Sequence, residues 1–284
     1  MTDTVLKNTK RVHHRTSQVI LHTVIVLLMF LTLYPLFIAV FIGLKSHDAF
    51  LHTPWLPTLP LWFTNFKTAF EVVGVYMFNT FIVGIASVLG TLALASLSAY
   101  VFSRMRFPGR QFLYFAVIAL MMVPGVLTLV PSYMLYNSLG LLNSYWVLII
   151  PNIFGSSVGA IFLFRTFFDG LPESIFEAAR IDGCTELRCY FSICLPLSKA
   201  ILGTQAISQI IGIWNDVVWP SITITDPDMW TISAGLYRQF AGQYSSNTPV
   251  QFAGYILASL PLVLLFVFAN RYYIEGLTTT GLKL

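Results

Sequence analysis

The chain has 284 residues, of which 56% are hydrophobic and 10% are charged, and its formal net charge at neutral pH is +4. Soluble domains have about 25% charged residues, so this composition excludes a soluble globular protein, which would lack the polar surface needed to stay dissolved. The apolar runs are far longer than the roughly 10-residue strands of a membrane β-barrel. We therefore predict an all-α integral membrane protein, and the modest charge indicates no nucleic-acid partner.

Six stretches are apolar enough for transmembrane helices, which need about 20 residues each. The first follows a basic segment, residues 1–16, and is longer than the apolar region of a signal peptide, which has about 7–15 residues. Pro124 and Pro131 are expected to break the third stretch, and a short interfacial helix is predicted over 61–73. The predicted spans are 17–43, 76–102, 112–136, 145–164, 199–224 and 250–269.

The positions of Lys and Arg predict the orientation of these spans. Six spans place both termini on one side of the membrane. If that side is the cytoplasm, all 16 Lys and Arg residues except Lys45, Lys67 and Arg238 lie in cytoplasmic segments, as the positive-inside rule requires. The predicted organisation is a cytoplasmic amino-terminal segment, a transmembrane domain and a cytoplasmic tail, at 1–16, 17–272 and 273–284.

Charged residues are concentrated between the fourth and fifth predicted spans, in a cytoplasmic loop at about 166–198. Pro172 is typical of the first position of a helix, and Gly183 is typical of the residue that ends one. The helix predicted between them is too short and too charged to cross a membrane. A second short helix is predicted over 185–191. We interpret the loop as a docking surface for another protein.

The sequence contains no motif for nucleotide binding or catalysis. It has no G-x-x-x-x-G-K-[ST] phosphate-binding loop, no H-E-x-x-H and no G-x-S-x-G, so we predict no catalytic residues and no enzymatic activity. Any ATP must then be bound by a partner. Cys184, Cys189 and Cys194 are five residues apart, which matches no zinc pattern, and we predict reduced thiols and no metal site.

Asp216 is the clear ionisable residue within the predicted spans. Proton- or sodium-coupled carriers usually need several buried carboxylates or histidines, and many have internal repeats that we do not find in this sequence. Both points disfavour a secondary carrier or channel, which stays the alternative class. Asp216 either contacts a polar solute or caps or kinks the fifth helix, and it forms a candidate substrate path with Asn152, Trp214 and Asn215.

A longer pattern begins at Glu177 and continues through Ala178, Ala179, Gly183, Ile193, Leu195 and Pro196. This pattern resembles the EAA loop of permease subunits of binding-protein-dependent ABC importers. The similarity extends over most of the chain, through Arg104–Arg110, Trp214–Asp216 and Tyr273–Thr278, and points to the maltose-type carbohydrate-uptake branch of that family. The sequence departs from the usual pattern at Cys184 and Ala200, where alanine and proline are common.

This resemblance implies a six-helix permease whose EAA loop forms a coupling helix in a cleft of an ATPase subunit, with Asp182 added to the coupling residues. It implies a bacterial or archaeal cytoplasmic membrane and a heterodimer with a second homologous permease. Two ATP-binding cassette subunits would bind ATP and Mg²⁺, and this chain is expected to bind no cofactor itself. A solute-binding protein would dock outside, and the candidate contacts for it are Ser245, Ser246 and Asn247.

The expected function is therefore ATP-driven import of a carbohydrate, expected to be an oligosaccharide. The alternative within the family is another small polar solute, such as glycerol phosphate or a polyamine. The sequence leaves open which sugar is carried and whether this subunit or its partner contacts it.

Overall fold

The computed structural model describes the backbone of residues 2–242 and 246–281, and the side chains of residues 18–240, 242 and 246–268. Within this part of the chain the regular secondary structure is helical and contains no strand, which confirms the all-α class. The α-helices are α1 Thr2–Gly43, α2 His47–His52, α3 Thr64–Arg104, α4 Arg110–Ala119, α5 Gly125–Ser138, α6 Trp146–Asp169, α7 Glu173–Ile181, α8 Glu186–Cys189, α9 Leu195–Leu197, α10 Lys199–Asn215, α11 Val218–Thr223, α12 Ile232–Ala241 and α13 Thr248–Gly281.

Several of these helices are long and apolar enough to cross a membrane. Among the described residues four qualify on their own, and α4 with α5 forms a fifth candidate that is bent by 98°. The fifth stretch predicted from the sequence corresponds to α10, a 17-residue helix that ends at Asn215 and is followed by the short α11. The four independent segments are Gln18–Gly43, Thr64–Arg104, Trp146–Asp169 and Thr248–Phe268.

The bend between α4 and α5 has a local cause. Val123 is extended, with φ −80° and ψ 116°, because a residue that precedes proline is disfavoured in the helical region. Pro124 also has no N–H to continue the helical hydrogen bonds. The predicted break at Pro124 is confirmed, whereas Pro131 lies inside α5 without ending it. The separate interfacial helix predicted over 61–73 is wrong, because α3 runs without interruption from Thr64.

The chain divides into two compact units. The first contains the described residues of Met1–Ala69 and Tyr244–Ile256. In it, the Asn65 Nδ2 atom donates hydrogen bonds to the carbonyl oxygens of Gly43 and Lys45, at 3.0 and 2.7 Å. Lys45 is buried and its Nζ atom donates to the carbonyl of Pro54 at 3.2 Å. The Asn65 bonds join the end of α1 to the start of α3, and the Lys45 bond holds the connection between them.

The second unit contains the described residues of Phe70–Gln243 and Leu257–Leu284. One of its cores is aromatic and joins α3, α6 and α7 to the chain that follows α8. Phe164, Phe168 and Phe176 are fully buried there, beside the nearly buried Tyr100 and Tyr190. The charged loop is therefore attached to the membrane helices by large buried rings, each of which contributes substantial apolar area.

Gly235 marks a close contact between α12 and α3 in this second unit. A Cβ atom on Gly235 would lie 2.4 Å from Cδ2 of the Tyr76 ring, and a rigid ring cannot move away cheaply. We expect Gly235→Ala to lower the free energy of unfolding by about 1–3 kcal/mol, measured by chemical denaturation in detergent. The control is Gly84→Ala, where a Cβ atom meets nothing within 4 Å. Equal stability of both variants would contradict this packing.

Candidate functional site

Helix α7 begins one residue later than its local sequence predicts and ends where it predicts. Pro172 is the residue immediately before the helix rather than its first residue, and Glu173 and Arg180 suit the positive and negative ends of the helix dipole. Gly183 has φ +79° and ends the helix in a Schellman arrangement. In it, the N–H of Cys184 donates to the carbonyl of Ala179 at 2.9 Å, and that of Gly183 donates to the carbonyl of Arg180 at 3.0 Å.

The two faces of α7 have different environments. On the inner face Phe176 is fully buried, with the guanidinium carbon of Arg104 4.2 Å from the centre of its ring and the Tyr100 ring centre at 6.5 Å. On the outer face Ile181 is 86% exposed and Ile175 is 41% exposed. The helix is therefore anchored on one side and presents apolar side chains to its surroundings on the other.

The predicted coupling residues fall into two groups in the structure. Ala179, Ile193 and Leu195 are half-buried and pack against the aromatic core that contains Phe176. The other five are exposed, so only this second group is available to a partner protein. The exposed residues are Glu177, Ala178, Asp182, Gly183 and Pro196.

Arg104, at the end of α3, connects the membrane helices to the loop. Its side chain is 4% exposed and forms an ion pair with Glu173. Its Nη2 atom donates to the carbonyl oxygens of Phe168 and Leu171, the latter at 2.9 Å. One guanidinium thus binds the last turn of α6, the linker and the first residue of α7. Sequence reasoning missed this role, because it considered Arg104 only as one of the cytoplasmic basic residues and as the start of the Arg104–Arg110 similarity.

A second set of polar contacts continues from Glu173. Arg180 pairs with Glu173 at 3.4 Å and with Glu186 at 2.8 Å. The hydroxyl of Tyr100 donates to the other oxygen of Glu186 at 2.8 Å. Tyr100 and Arg104 lie one turn apart on α3, so both ends of the network return to the same helix. The hydrogen bond from Arg180 is the main cause of the lowered pKa of Glu186.

Acidification is expected to weaken this network. Because the pKa of Glu186 is lower in the folded chain than its ordinary value of 4.5, its stabilising effect is present above that value and is lost as the pH falls through the folded pKa. Glu186→Gln should therefore lower the thermal midpoint at about pH 7 and have a smaller effect at about pH 3.5. A destabilisation by Glu186→Gln that is the same at both pH values would contradict this origin.

A cavity of about 740 Å³ lies between the α4–α5 break, α6 and α10. Its polar lining comes from Thr128 of α5, from Asn152 and Ser156 of α6, and from three residues of α10, Gln205, Ser208 and Gln209. These three follow the i, i+3, i+4 spacing of one helix face. Sequence reasoning searched the spans for ionisable groups and so missed this stripe, although its helical spacing is visible in the sequence.

The four residues of the candidate substrate path are not brought together. Asn152 lines the cavity, whereas Trp214 is nearly buried and its Nε1 donates to the carbonyl of Ala258 at 3.1 Å. Asn215 is exposed and its Nδ2 donates to the carbonyl of Ile211 at 2.8 Å.

Asp216 accepts a hydrogen bond from the N–H of Trp219 at 3.3 Å. Asp216 is the residue that follows α10 and lies just before Val217, the N-cap residue of α11. Its carboxylate binds an N–H in the first turn of α11, at the break between the two helices, which agrees with a structural role. A contact between Asp216 and substrate stays a prediction.

Other predicted features lie apart from these two sites. Ser245 is outside the described residues, Ser246 is exposed and Asn247 is half-buried, and their contact with a binding protein stays a prediction. Among the side chains that the structure describes, no three metal-ligating groups cluster. The three cysteines are free thiols, and burial raises the pKa of Cys189 and of Cys194 to about 11.

The sequence is similar to known transport proteins. The family described as binding-protein-dependent transport system inner membrane component matches residues 91–278. The arabinooligosaccharides transport system permease protein AraQ of Halalkalibacterium halodurans is 35% identical over 222 residues, which cover 77% of this chain and 78% of that protein. The sn-glycerol-3-phosphate transport system permease protein UgpE of Yersinia enterocolitica is 29% identical over 279 residues, covering 93% and 97%.

The fold has a solved counterpart. The crystal structure of a bacterial ABC transporter involved in the import of the acidic polysaccharide alginate contains a chain that superposes with a TM-score of 0.80. The two chains are 21% identical, and the superposition covers 91% of this chain and 97% of that one. The family match and the identity to AraQ together assign the sequence to a family. The superposition shows that the fold is shared with a solved ABC transporter chain. This chain belongs to the family of binding-protein-dependent transport system inner membrane components.

Proposed function

We propose that this chain is a transmembrane permease subunit of an ATP-driven ABC importer that translocates a carbohydrate, expected to be an oligosaccharide, delivered by a solute-binding protein. The observation that carries the proposal is α7, a short helix with an anchored inner face and an exposed outer face. Ile181 on the outer face is 86% exposed. Burying such an apolar side chain against another protein would lower the free energy, because apolar surface is removed from water.

The proposed assembly contains this chain, a second homologous permease and two ATP-binding cassette subunits that bind ATP and Mg²⁺. In it, this chain has six spans with both termini in the cytoplasm of a bacterium or archaeon. The bent α4–α5 pair and the broken α10–α11 pair are its third and fifth spans. A helix broken at membrane depth is tolerated where it lines a cavity, and the break between α4 and α5 lies beside the cavity described above.

The polar network suggests how movement of the ATPase reaches the membrane helices. Closure of the ATPase subunits moves the exposed face of α7, with Glu177 and Asp182 pairing with basic groups of the ATPase. Arg104 and Tyr100 transfer that displacement to α3, because both are bonded to the loop. The result is rigid-body motion of packed helices between inward-facing and outward-facing states.

The relatives favour a carbohydrate as the solute. AraQ is named for arabinooligosaccharides and is the more similar of the two relatives in sequence identity, whereas UgpE is named for sn-glycerol 3-phosphate. The alternative is therefore a permease for glycerol phosphate or another small polar solute such as a polyamine.

Reconstitution tests the proposal. The chain is purified with its partner permease and ATPase subunits, placed in proteoliposomes and supplied with the binding protein and a radiolabelled oligosaccharide. We expect uptake with ATP and none with a non-hydrolysable ATP analogue. The control omits only the ATPase subunits. Uptake by the chain without them would support a carrier or channel and would contradict the proposal.

A further inference from the structure

Gln209 occupies an unusual position in the cavity wall. It lines the cavity from α10, although the residue is only 6% exposed. Its Nε2 atom donates to the hydroxyl oxygen of Thr91 at 2.9 Å and to the backbone carbonyl of Asn152 at 3.4 Å. Its Oε1 atom is buried and has no hydrogen-bond partner within the described part of the chain.

The contacts of Gln209 distinguish the oxygen of its side-chain amide from the nitrogen. A backbone carbonyl can only accept a hydrogen bond, so the amide atom facing the carbonyl of Asn152 must be the NH₂ group. The atom left without a partner is therefore the oxygen, an acceptor. A buried acceptor without a donor is unfavourable, and most such groups in native proteins are paired. The group that completes it must bring an O–H or N–H.

We propose that Gln209 recognises an uncharged, hydroxyl-bearing solute in this cavity by accepting a hydrogen bond from a solute hydroxyl at Oε1. The inference rests on the proposed import function and narrows its solute to a neutral saccharide. In this structure Oε1 is covered by neighbouring atoms. The hydrogen bond to the solute therefore forms in a different conformation, in which the helices hold the solute.

The rest of the polar lining has the same chemistry. Gln205 and Ser208 lie on the same face of α10, and Asn152 and Ser156 lie across the cavity on α6. Amide and hydroxyl groups match the alternating donors and acceptors of a sugar. Hydroxyls of an anionic solute could also donate to Oε1, but its carboxylate or phosphate offers only acceptors at neutral pH. Among the described residues no Lys, Arg or His lines the cavity, so that charge would lose its hydration there without compensation. The cavity therefore favours a neutral saccharide over sn-glycerol 3-phosphate or an acidic polysaccharide.

The test is uptake by the complete reconstituted importer. The probes are arabinotriose, a neutral trisaccharide, and two anions, sn-glycerol 3-phosphate and an alginate trisaccharide. We expect uptake of the neutral probe in preference to both anions. Gln209→Met, which keeps the length of the side chain and removes Oε1, should raise the KM for arabinotriose about five- to tenfold, the effect of losing one neutral hydrogen bond. The change should fall on KM more than on the maximal rate.

Two further variants separate recognition from structure. Thr91→Val removes a partner of the amide NH₂ and the bond that the Thr91 hydroxyl donates to the carbonyl of Ile153 at 3.4 Å, but it leaves Oε1 in place. It should therefore lower the thermal midpoint of the complex and change KM much less than Gln209→Met does. Gln111→Met makes the same exchange at an exposed position of α4 and should leave uptake unchanged. Preferred uptake of an anion, or an equal KM for Gln209→Met and the parent, would overturn the inference. Absence of ATP-driven uptake of every probe would overturn the proposed function together with it.

Discussion

Replacing Gly183 with valine is expected to reduce ATP-driven uptake at least about tenfold while the chain still inserts into the membrane. Gly183 has φ +79°, which is a left-handed backbone conformation. This conformation costs a residue with a Cβ atom about 1–2 kcal/mol, and the cost is highest for β-branched residues such as valine. The last turn of α7 then unwinds or turns, which displaces Ile181 and Asp182. ATP hydrolysis should continue, so the ratio of solute imported to ATP hydrolysed falls.

The matched control for this substitution is Gly183→Asn. Asparagine tolerates the left-handed region better than other residues with side chains, so this variant should keep most of the uptake although it also adds a side chain at an exposed position. Uptake and hydrolysis are measured together in proteoliposomes. If the valine variant imports as well as the asparagine variant, the end of α7 has no part in coupling.

Replacing Arg104 with methionine is expected to have the second large effect. The substitution removes the ion pair with Glu173 and the hydrogen bonds to two backbone carbonyls. The side chain of Arg104 is 4% exposed but that of Glu173 is 54% exposed, so screening by water reduces the loss below that of a fully buried pair. We expect a loss of about 2–3 kcal/mol in stability, since bonds to charged groups contribute most, and a fall in uptake per ATP hydrolysed.

Arg106→Met provides the control, because it removes the same charge two residues away at an exposed position. Thermal unfolding and coupled uptake should both match the parent in that variant. Indistinguishable behaviour of the Arg104 and Arg106 variants would mean that only the overall charge of this turn matters. It would also remove α3 as the route by which movement of the loop reaches the membrane helices.

The limits of α7 were predictable because their causes are local. A proline before the helix and a glycine after it act within a few residues, and the structure places α7 between them. The break at Pro124 was predictable for the same reason. Pro131 shows the limit of such reasoning, because the structure around a proline decides whether a helix continues past it, and α5 does continue.

The link from Arg104 to Glu173 was not predictable, because it joins residues 69 positions apart and each alone resembles an ordinary surface charge. The cavity is an intermediate case. The stripe of Gln205, Ser208 and Gln209 is visible in the sequence, but only the fold shows that it faces α6 across an open space. The unpaired oxygen of Gln209 depends on contacts from α3 and α6 and has no signature in the sequence.

The exposed face of α7 can be tested most directly by photocrosslinking. Benzoylphenylalanine is placed at Ile181, or as a control at Leu59 on the predicted outer side, both of which are 86% exposed. The complete complex is then irradiated in native membranes. We predict a crosslinked product between this chain and the ATPase subunit from position 181 and none from position 59. Absence of that product at position 181, in a complex that still contains the ATPase, would contradict the docking role of α7.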